Sequence, residues 1–149
     1  MADGSHPHLC VLVVEDEALI RWSITETLAQ QGHRVVEAGN ASAAVQALRE
    51  TQGPIDVVLL DYRLPDSDDL GLLQNIRHLR PESAIVMMTA FGTAEVKEGA
   101  LELGVYRVLN KPFDLRGLES VVLEAHDARS SRVSCASDPA NPPRIAGRS

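Results

Sequence analysis

The sequence predicts an α/β fold in which a parallel sheet is covered by helices on both faces. Short apolar runs, typical of buried strands, alternate with segments whose apolar residues recur at helical spacing. The connections between these segments are short, and the sequence contains no internal repeat. Strands that alternate with helices pair in parallel, because each helix carries the chain back across the sheet before the next strand begins.

The five predicted strands are short, rich in aliphatic residues and bounded by turn residues. In chain order they are LCVLVV (9–14), HRVVEA (33–38), VVLL (57–60), AIVMM (84–88) and VYRVL (105–109). Uninterrupted apolar runs such as the first and the third are typical of strands that are buried on both faces. The second run has a shorter apolar centre, Val35 and Val36, so we expect it nearer the sheet edge.

The five intervening segments have helical periodicity and recognisable ends. Their inward-facing residues are Leu19, Ile20, Ile24 and Leu28; Ala44, Val45 and Leu48; Leu70, Leu73, Ile76 and Leu79; Val96, Ala100 and Leu103; and Leu115, Leu118, Val121, Val122 and Ala125. Asn40, Thr93 and Asp114 are predicted to cap the second, fourth and fifth helices. Gly32 and Gly104 are predicted to end the first and fourth helices.

Composition and charge limit the class of protein. The 149 residues are 44% hydrophobic and 23% charged, which indicates one ordinary domain. We predict an N-terminal lead at residues 1–8, the domain at 9–127 and a flexible tail or linker at 128–149. The net charge is −7, and the acidic excess lies in the predicted domain, so we expect no direct binding of nucleic acid. Without a membrane span or signal peptide, we expect a cytoplasmic chain.

Polar side chains follow four of the predicted strands. Glu15 and Asp16 follow the first strand, Asp61 the third, Thr89 the fourth and Lys111 the fifth. Since the carboxyl ends of parallel strands share one edge of the sheet, we expect these groups to form one site. Three carboxylates in a small space repel one another, and a hard cation such as Mg²⁺ relieves that repulsion.

This set of residues suits phosphoryl transfer. With Mg²⁺ held by Glu15 and Asp16, Asp61 can act as a nucleophile toward a phosphoryl group. Lys111 can pair with the transferred phosphoryl oxygens, and Thr89 can donate a hydrogen bond to one of them. Phosphoryl transfer depends mainly on positioning and charge neutralisation, which these side chains supply together.

Four motifs resemble those of a response-regulator receiver domain of two-component signalling. They are VLVVEDE (11–17), DVVLLDYRLPDSD (56–68), MMTAFGTAEV (87–96) and LNKPFDL (109–115). The resemblance covers residues 9–127, and the last two motifs look most like the nitrogen-regulator type of receiver. It implies a doubly wound, flavodoxin-like (βα)5 fold with strand order 2-1-3-4-5.

The resemblance also implies the roles of individual residues. Asp61 is the implied phospho-acceptor, and Thr89 and Lys111 respond to the phosphoryl group. The implied Mg²⁺ ligands are Glu15, Asp16, Asp61 and the backbone carbonyl of Arg63. Lys111–Pro112 resembles a cis peptide bond of this family.

By the same resemblance, the chain is a signalling switch and not an enzyme toward other substrates. It catalyses only its own phosphorylation and dephosphorylation, and its phosphoryl donor is a sensor histidine kinase. The surface formed by the fourth helix, fifth strand and fifth helix is implied to bind a downstream effector domain or protein, or a second copy of the chain. Receivers of the nitrogen-regulator type often precede an AAA+ ATPase and a DNA-binding domain.

The fifth strand departs from the family pattern, and two alternatives stay open. Val108 stands where the family has an aromatic switch residue, Arg107 stands where it has Asp, and Tyr106 shares the strand face of Val108. These departures motivate a degenerate receiver that binds a partner without phosphorylation. The other alternative is a metal-dependent phosphatase with an aspartyl-phosphate intermediate, but Arg63 occupies the position where such enzymes need a second Asp.

Overall fold

A computed structural model of the chain contains one five-stranded parallel sheet between two layers of helices. It describes residues 8–66, 70–90 and 92–136, with the side chains described as far as residue 130. The strands are β1 (Cys10–Val14), β2 (Arg34–Ala38), β3 (Val57–Asp61), β4 (Ala84–Thr89) and β5 (Arg107–Asn110). The helices are α1 (Ala18–Gln30), α2 (Ala41–Glu50), α3 (Gly71–Leu79), α4 (Ala94–Glu102) and α5 (Leu118–Ala136), and a 3₁₀ turn, Leu115–Gly117, leads into α5.

The strand order is β2-β1-β3-β4-β5, and all neighbouring strands are parallel, as predicted. The central strands β1, β3 and β4 are buried along their whole length, because helices cover both faces of the sheet. The edge strand β2 has exposed and half-buried positions before its buried last residue. Its shorter apolar centre therefore matches its place at the edge.

Alternate residues of the central strands face opposite layers. Val58 and Leu60 of β3 belong to the core cluster that also includes residues of α2 and α3. Val57 and Leu59 belong to the second cluster, which includes residues of α1 and α5. This division follows from the two-residue repeat of a strand, and it places one hydrophobic layer on each side of the sheet.

The predicted helix ends are present. The side chains of Asn40 and Thr93 each accept a backbone hydrogen bond in the first turn of α2 and α4, respectively. Asp114 caps the 3₁₀ turn that precedes α5, so its cap lies one short turn earlier than the helix itself. Gly32 and Gly104 follow α1 and α4 with φ angles of 94° and 95°, the left-handed region in which glycine ends a helix.

The last strand and helix differ from their predicted bounds. β5 starts at Arg107, so the two residues before it in the predicted run do not belong to the strand. The fifth helix continues to Ala136, so the first nine residues of the predicted tail, 128–136, are helical. Arg129 gives a physical reason, because its Nε donates a 3.2 Å hydrogen bond to the carbonyl of Pro81.

The remaining parts of the predicted lead and tail, residues 1–7 and 137–149, lie outside the described residues. Within the described part of the chain, no helix has the length and apolar character that a membrane crossing needs.

Candidate functional site

The polar groups that follow the strands meet at one edge of the sheet. Asp61 and Thr89 are the last residues of β3 and β4, and Lys111 directly follows β5. Glu15 follows β1, and its backbone N–H donates to the carbonyl at the end of β2, that of Ala38, over 3.0 Å. The parallel register places these strand ends at the same edge of the sheet, where the sequence predicts the site.

Three carboxylates form the centre of this site. Glu15, Asp16 and Asp61 each offer an oxygen that lies within 4.8 Å of the other two. Glu15 is fully buried and Asp61 is 5% exposed, whereas Asp16 is open to solvent. Such a set of closely spaced oxygen ligands with one open side fits a hard divalent cation that keeps some of its water. Within the described ranges, no other group of three such side chains meets this spacing.

Lys111 lies between two of the carboxylates. Its Nζ is 2.6 Å from Oε1 of Glu15 and 3.1 Å from Oδ2 of Asp61. Burial lowers the pKa of Lys111, but the bonds to Glu15 and Asp61 outweigh burial and leave that pKa raised. The ammonium is therefore charged throughout the physiological pH range.

The pKa of Asp61 is raised to about 6. Burial is the main cause and the negative charge of Glu15 adds to it, while Lys111 and the backbone N–H of Arg63 act in the opposite direction. Burial makes the Asp61 carboxyl costly to ionise. A cation or another positive group that approaches it therefore stabilises the ionised form. The electrostatics of the site thus favour the binding of a cation next to Asp61.

Backbone contacts fix the position of these groups. The N–H of Arg63 donates to Oδ1 of Asp61 over 3.2 Å, and the N–H of Glu17 donates to Oε2 of Glu15 over 3.1 Å. The Lys111–Pro112 peptide bond is cis, as the resemblance to receivers implies.

Two residues near the site were not predicted from the sequence. Arg21 of α1 donates from Nη1 to the backbone carbonyl of Glu15 over 2.7 Å and from Nε to Oε1 of Glu37 over 3.1 Å. Gly92 lies so close to β4 that a Cβ there would be 2.9 Å from Cγ2 of Thr89. Neither contact has a periodic signal in the sequence, because the first depends on how α1 packs beside β1 and β2 and the second on the path of the loop after β4.

The fifth strand shows where the family's aromatic residue is missing. Val108 is half-buried and pairs with Met87, two residues before Thr89 in β4. The backbone N–H of Tyr106 donates to the carbonyl of Ile85, so Tyr106 lies about 13 Å from the level of Thr89 at roughly 3.3 Å per strand residue. The ring of Tyr106 is therefore at the opposite end of β5 from the carboxylates.

Comparison with known protein families agrees with this geometry. The family model described as the response regulator receiver domain matches residues 11–123. This chain belongs to that family. Receivers of this family are the regulatory domains of response regulators in two-component systems.

Relatives of this receiver include several transcriptional regulators. It is 35% identical over 128 residues to the DNA-binding transcriptional regulator NtrC of Azospirillum brasilense, with 86% of this chain and 26% of NtrC covered. It is 35% identical over 114 residues to the response regulator protein PilR of Pseudomonas aeruginosa, with 76% of this chain and 25% of PilR covered. The receiver thus spans about a quarter of the length of these relatives.

Solved structures confirm the fold of the receiver. NtrX from Brucella abortus superimposes with a TM-score of 0.78 at 30% identity, with 87% of this chain and 29% of NtrX covered. A CheY-like receiver domain protein from Methanospirillum hungatei has the same TM-score at 25% identity, with 85% of this chain and 99% of that protein covered. The similarity to NtrC and NtrX agrees with the predicted resemblance to nitrogen-regulator receivers.

Proposed function

We propose that this receiver is a switch that accepts a phosphoryl group on Asp61 from the phosphohistidine of a sensor kinase. The observation that carries the proposal is the position of the Asp61 carboxylate. It lies within 4.8 Å of ligand oxygens of Glu15 and Asp16 and 3.1 Å from the ammonium of Lys111. A nucleophile, a cation-binding pair and a fixed positive charge thus lie within one small site.

The carboxylates of Glu15, Asp16 and Asp61 and the backbone carbonyl of Arg63 are the groups we propose to hold Mg²⁺. When bound, Mg²⁺ supplies positive charge that neutralises the oxygens of the phosphoryl group. The buried Glu15 and the exposed Asp16 differ in their roles at this site. Glu15 is fixed by bonds to Lys111 and to the backbone of Glu17, while Asp16 faces the solvent from which a cation arrives.

Phosphoryl transfer needs Asp61 in its ionised form. A pKa of about 6 leaves the Asp61 carboxyl mainly ionised at pH 7. One carboxylate oxygen attacks the phosphorus, the bond from phosphorus to the donor imidazole nitrogen breaks, and an acyl phosphate forms on Asp61. Lys111, already within 3.1 Å of the acceptor, then pairs with an oxygen of the phosphoryl group.

In this proposal, Thr89 and the loop after β4 carry the effect of phosphorylation from Asp61 to the surface of the receiver. We propose that the Thr89 hydroxyl donates a hydrogen bond to a phosphoryl oxygen. The resulting movement of Thr89 shifts the loop after β4, because Gly92 of that loop lies close to the Thr89 side chain. This loop leads directly into α4, so its movement changes the surface formed by α4, β5 and α5. Leu101 and Tyr106 are 52% and 36% exposed on that surface, and we propose that an effector or a second copy of the chain binds there.

Val108 favours a second candidate, a receiver that binds its partner without phosphorylation. At its half-buried position it offers only a short aliphatic side chain, which cannot rotate between two environments as an aromatic ring can. Trapping by beryllofluoride, a phosphoryl mimic that binds Asp61 together with Mg²⁺, discriminates between the two candidates. Binding supports the switch, whereas no binding by a folded chain supports the second candidate.

Phosphorylation itself is tested with a small-molecule phosphodonor and intact-mass spectrometry. The wild-type chain should gain one phosphoryl group with Mg²⁺ and none with EDTA, and Asp61→Asn should gain none. Asp127→Asn, which changes an exposed carboxylate on α5, is the matched control and should be labelled like the wild type. Mg²⁺-dependent labelling of Asp61→Asn would assign the acceptor to another residue.

A further inference from the structure

Asp66 joins the loop after β3 to the first turn of α2. Its Oδ1 accepts the backbone N–H of Ala41 over 2.7 Å, and its Oδ2 accepts the N–H of Ser42 over 3.1 Å. The first N–H groups of a helix have no partner inside the helix, so both carboxylate oxygens meet donors that need an acceptor. The contact connects parts of the chain that are 25 residues apart.

The helix already has a local cap. The side chain of Asn40 accepts the N–H of Ala43 over 2.7 Å, which is the usual bond of a residue that directly precedes a helix. The two bonds from Asp66 are therefore additional to the ordinary cap. Their distinctive effect is on the other partner, the loop that follows Asp61.

The first part of that loop, residues 62–66, is held at three points. At its start, the N–H of Arg63 donates to the Asp61 carboxylate over 3.2 Å. In its middle, Leu64 is buried in the core cluster that also contains residues of α2 and α3. At Asp66, the two bonds fix the chain to α2, which does not itself contribute to the site. The backbone of Arg63 thus lies on a segment anchored at Asp61, in the core and on α2.

We propose that Asp66 is a positioning residue for the Mg²⁺ site. By holding the loop against α2, it fixes the backbone carbonyl of Arg63 where a cation beside Asp61 needs its oxygen. Mg²⁺ demands near-ideal octahedral geometry, so a small displacement of one ligand lowers its affinity. This role rests on the proposed function, since it presupposes that the site binds Mg²⁺.

The charge state of Asp66 suits this role. Its bonds to the backbone of Ala41 and Ser42 hold the pKa of its carboxyl below the usual value. Both oxygens therefore stay available as acceptors at every pH at which Asp61 is ionised. The negative charge also lies at the positive end of the α2 dipole, which favours the same contact.

The test compares the Mg²⁺ dissociation constants of four 149-residue chains by calorimetry, together with their melting temperatures. Asp66→Ala should raise the dissociation constant by roughly three- to tenfold, at or below the usual cost of losing a partner that orients a metal ligand. Asp66→Asn keeps one acceptor oxygen without the charge, so it should recover part of the affinity. Asn40→Ala removes only the local cap, so it should leave the dissociation constant within about twofold of wild type while lowering the melting temperature by roughly 3–5 °C.

Three results would overturn the proposal, and they are distinguishable. If Asp66→Ala lowers the melting temperature but binds Mg²⁺ like the wild type, Asp66 is only a second cap of α2. If Asp66→Ala and Asp66→Asn weaken binding equally, the effect is that of the charge and not of the hydrogen bonds. If the wild-type chain does not bind Mg²⁺, the proposed function fails, and the positioning role fails with it.

Discussion

The replacement of Asp61 by Asn should stabilise the receiver in the absence of Mg²⁺. In the wild type, ionised Asp61 is buried beside Glu15, and its pKa is raised from 3.8 to about 6. The folded chain therefore binds more protons than the unfolded chain between these two pH values, and its free energy of unfolding falls as the pH rises through this window. Asn resembles the protonated carboxyl group and has no charge to bury.

The magnitude follows from the size of the pKa shift. About two pKa units, at 1.36 kcal/mol each, correspond to about 3 kcal/mol of destabilisation above pH 6, all of it absent well below pH 3.8. Because Asp61 is 5% exposed, solvent screening reduces this figure little. We expect Asp61→Asn to raise the free energy of unfolding by about 2–3 kcal/mol at pH 7.5 and by well under 1 kcal/mol at pH 4.

Urea unfolding followed by circular dichroism, at both pH values and in EDTA, measures this difference directly. Asp127→Asn, whose carboxylate is exposed, serves as the control and should change stability little at either pH. Addition of Mg²⁺ should reduce the difference in free energy of unfolding between the two chains at pH 7.5. The reason is that the proposed site of the wild type binds the cation more tightly than the site of the variant. An Asp61→Asn chain that is no more stable than the wild type at pH 7.5 would refute the conclusion that the buried, ionised Asp61 carboxylate destabilises the fold.

Two further variants test the contacts that surround the carboxylates. Arg21→Ala removes the bonds to the Glu15 carbonyl and to Glu37, so it should lower the free energy of unfolding by about 1 kcal/mol and weaken Mg²⁺ binding, as measured by urea unfolding and calorimetry. An Arg21→Ala chain with wild-type stability and wild-type affinity for Mg²⁺ would show that Arg21 does not hold the loop between β1 and α1. Gly92→Ala places a Cβ 2.9 Å from Thr89, so it should cost roughly 1–3 kcal/mol and change the lifetime of the acyl phosphate, as followed by mass spectrometry. An unchanged lifetime of the acyl phosphate would show that the loop after β4 does not take part in the proposed response of Thr89.

The sequence allows the fold and the main residues of the site to be predicted because both depend on local patterns. Runs of buried strand residues and capped helices establish the alternation, and alternation implies a parallel sheet. Once the sheet is parallel, the strand-end rule brings Asp61, Thr89 and Lys111 to one edge without any knowledge of side-chain geometry. Both predictions use only the order of residues along the chain.

The contacts that brace the site could not be predicted in the same way. Arg21 and Asp66 donate or accept hydrogen bonds to backbone groups of other elements. A sequence pattern cannot identify such partners, because nearly every residue carries the same backbone groups. The end of the last helix is likewise not predictable from a local pattern. Residues 128–136 have almost no apolar face, so their helical state depends on continuity with the helix before them and on the contact of Arg129 with Pro81.

The length of α5 has a mechanical consequence. Because residues 128–136 are helical, they extend the axis of α5 by about 13 Å at 1.5 Å per residue. A helix transmits a tilt or rotation along its whole length as a rigid rod, whereas a flexible coil dissipates it. A tilt of α5 by 10° would therefore move the end of this extension about 2 Å further sideways than residue 127. A small tilt of α5 that began at the sheet would thus produce a larger displacement at residue 136 than at residue 127.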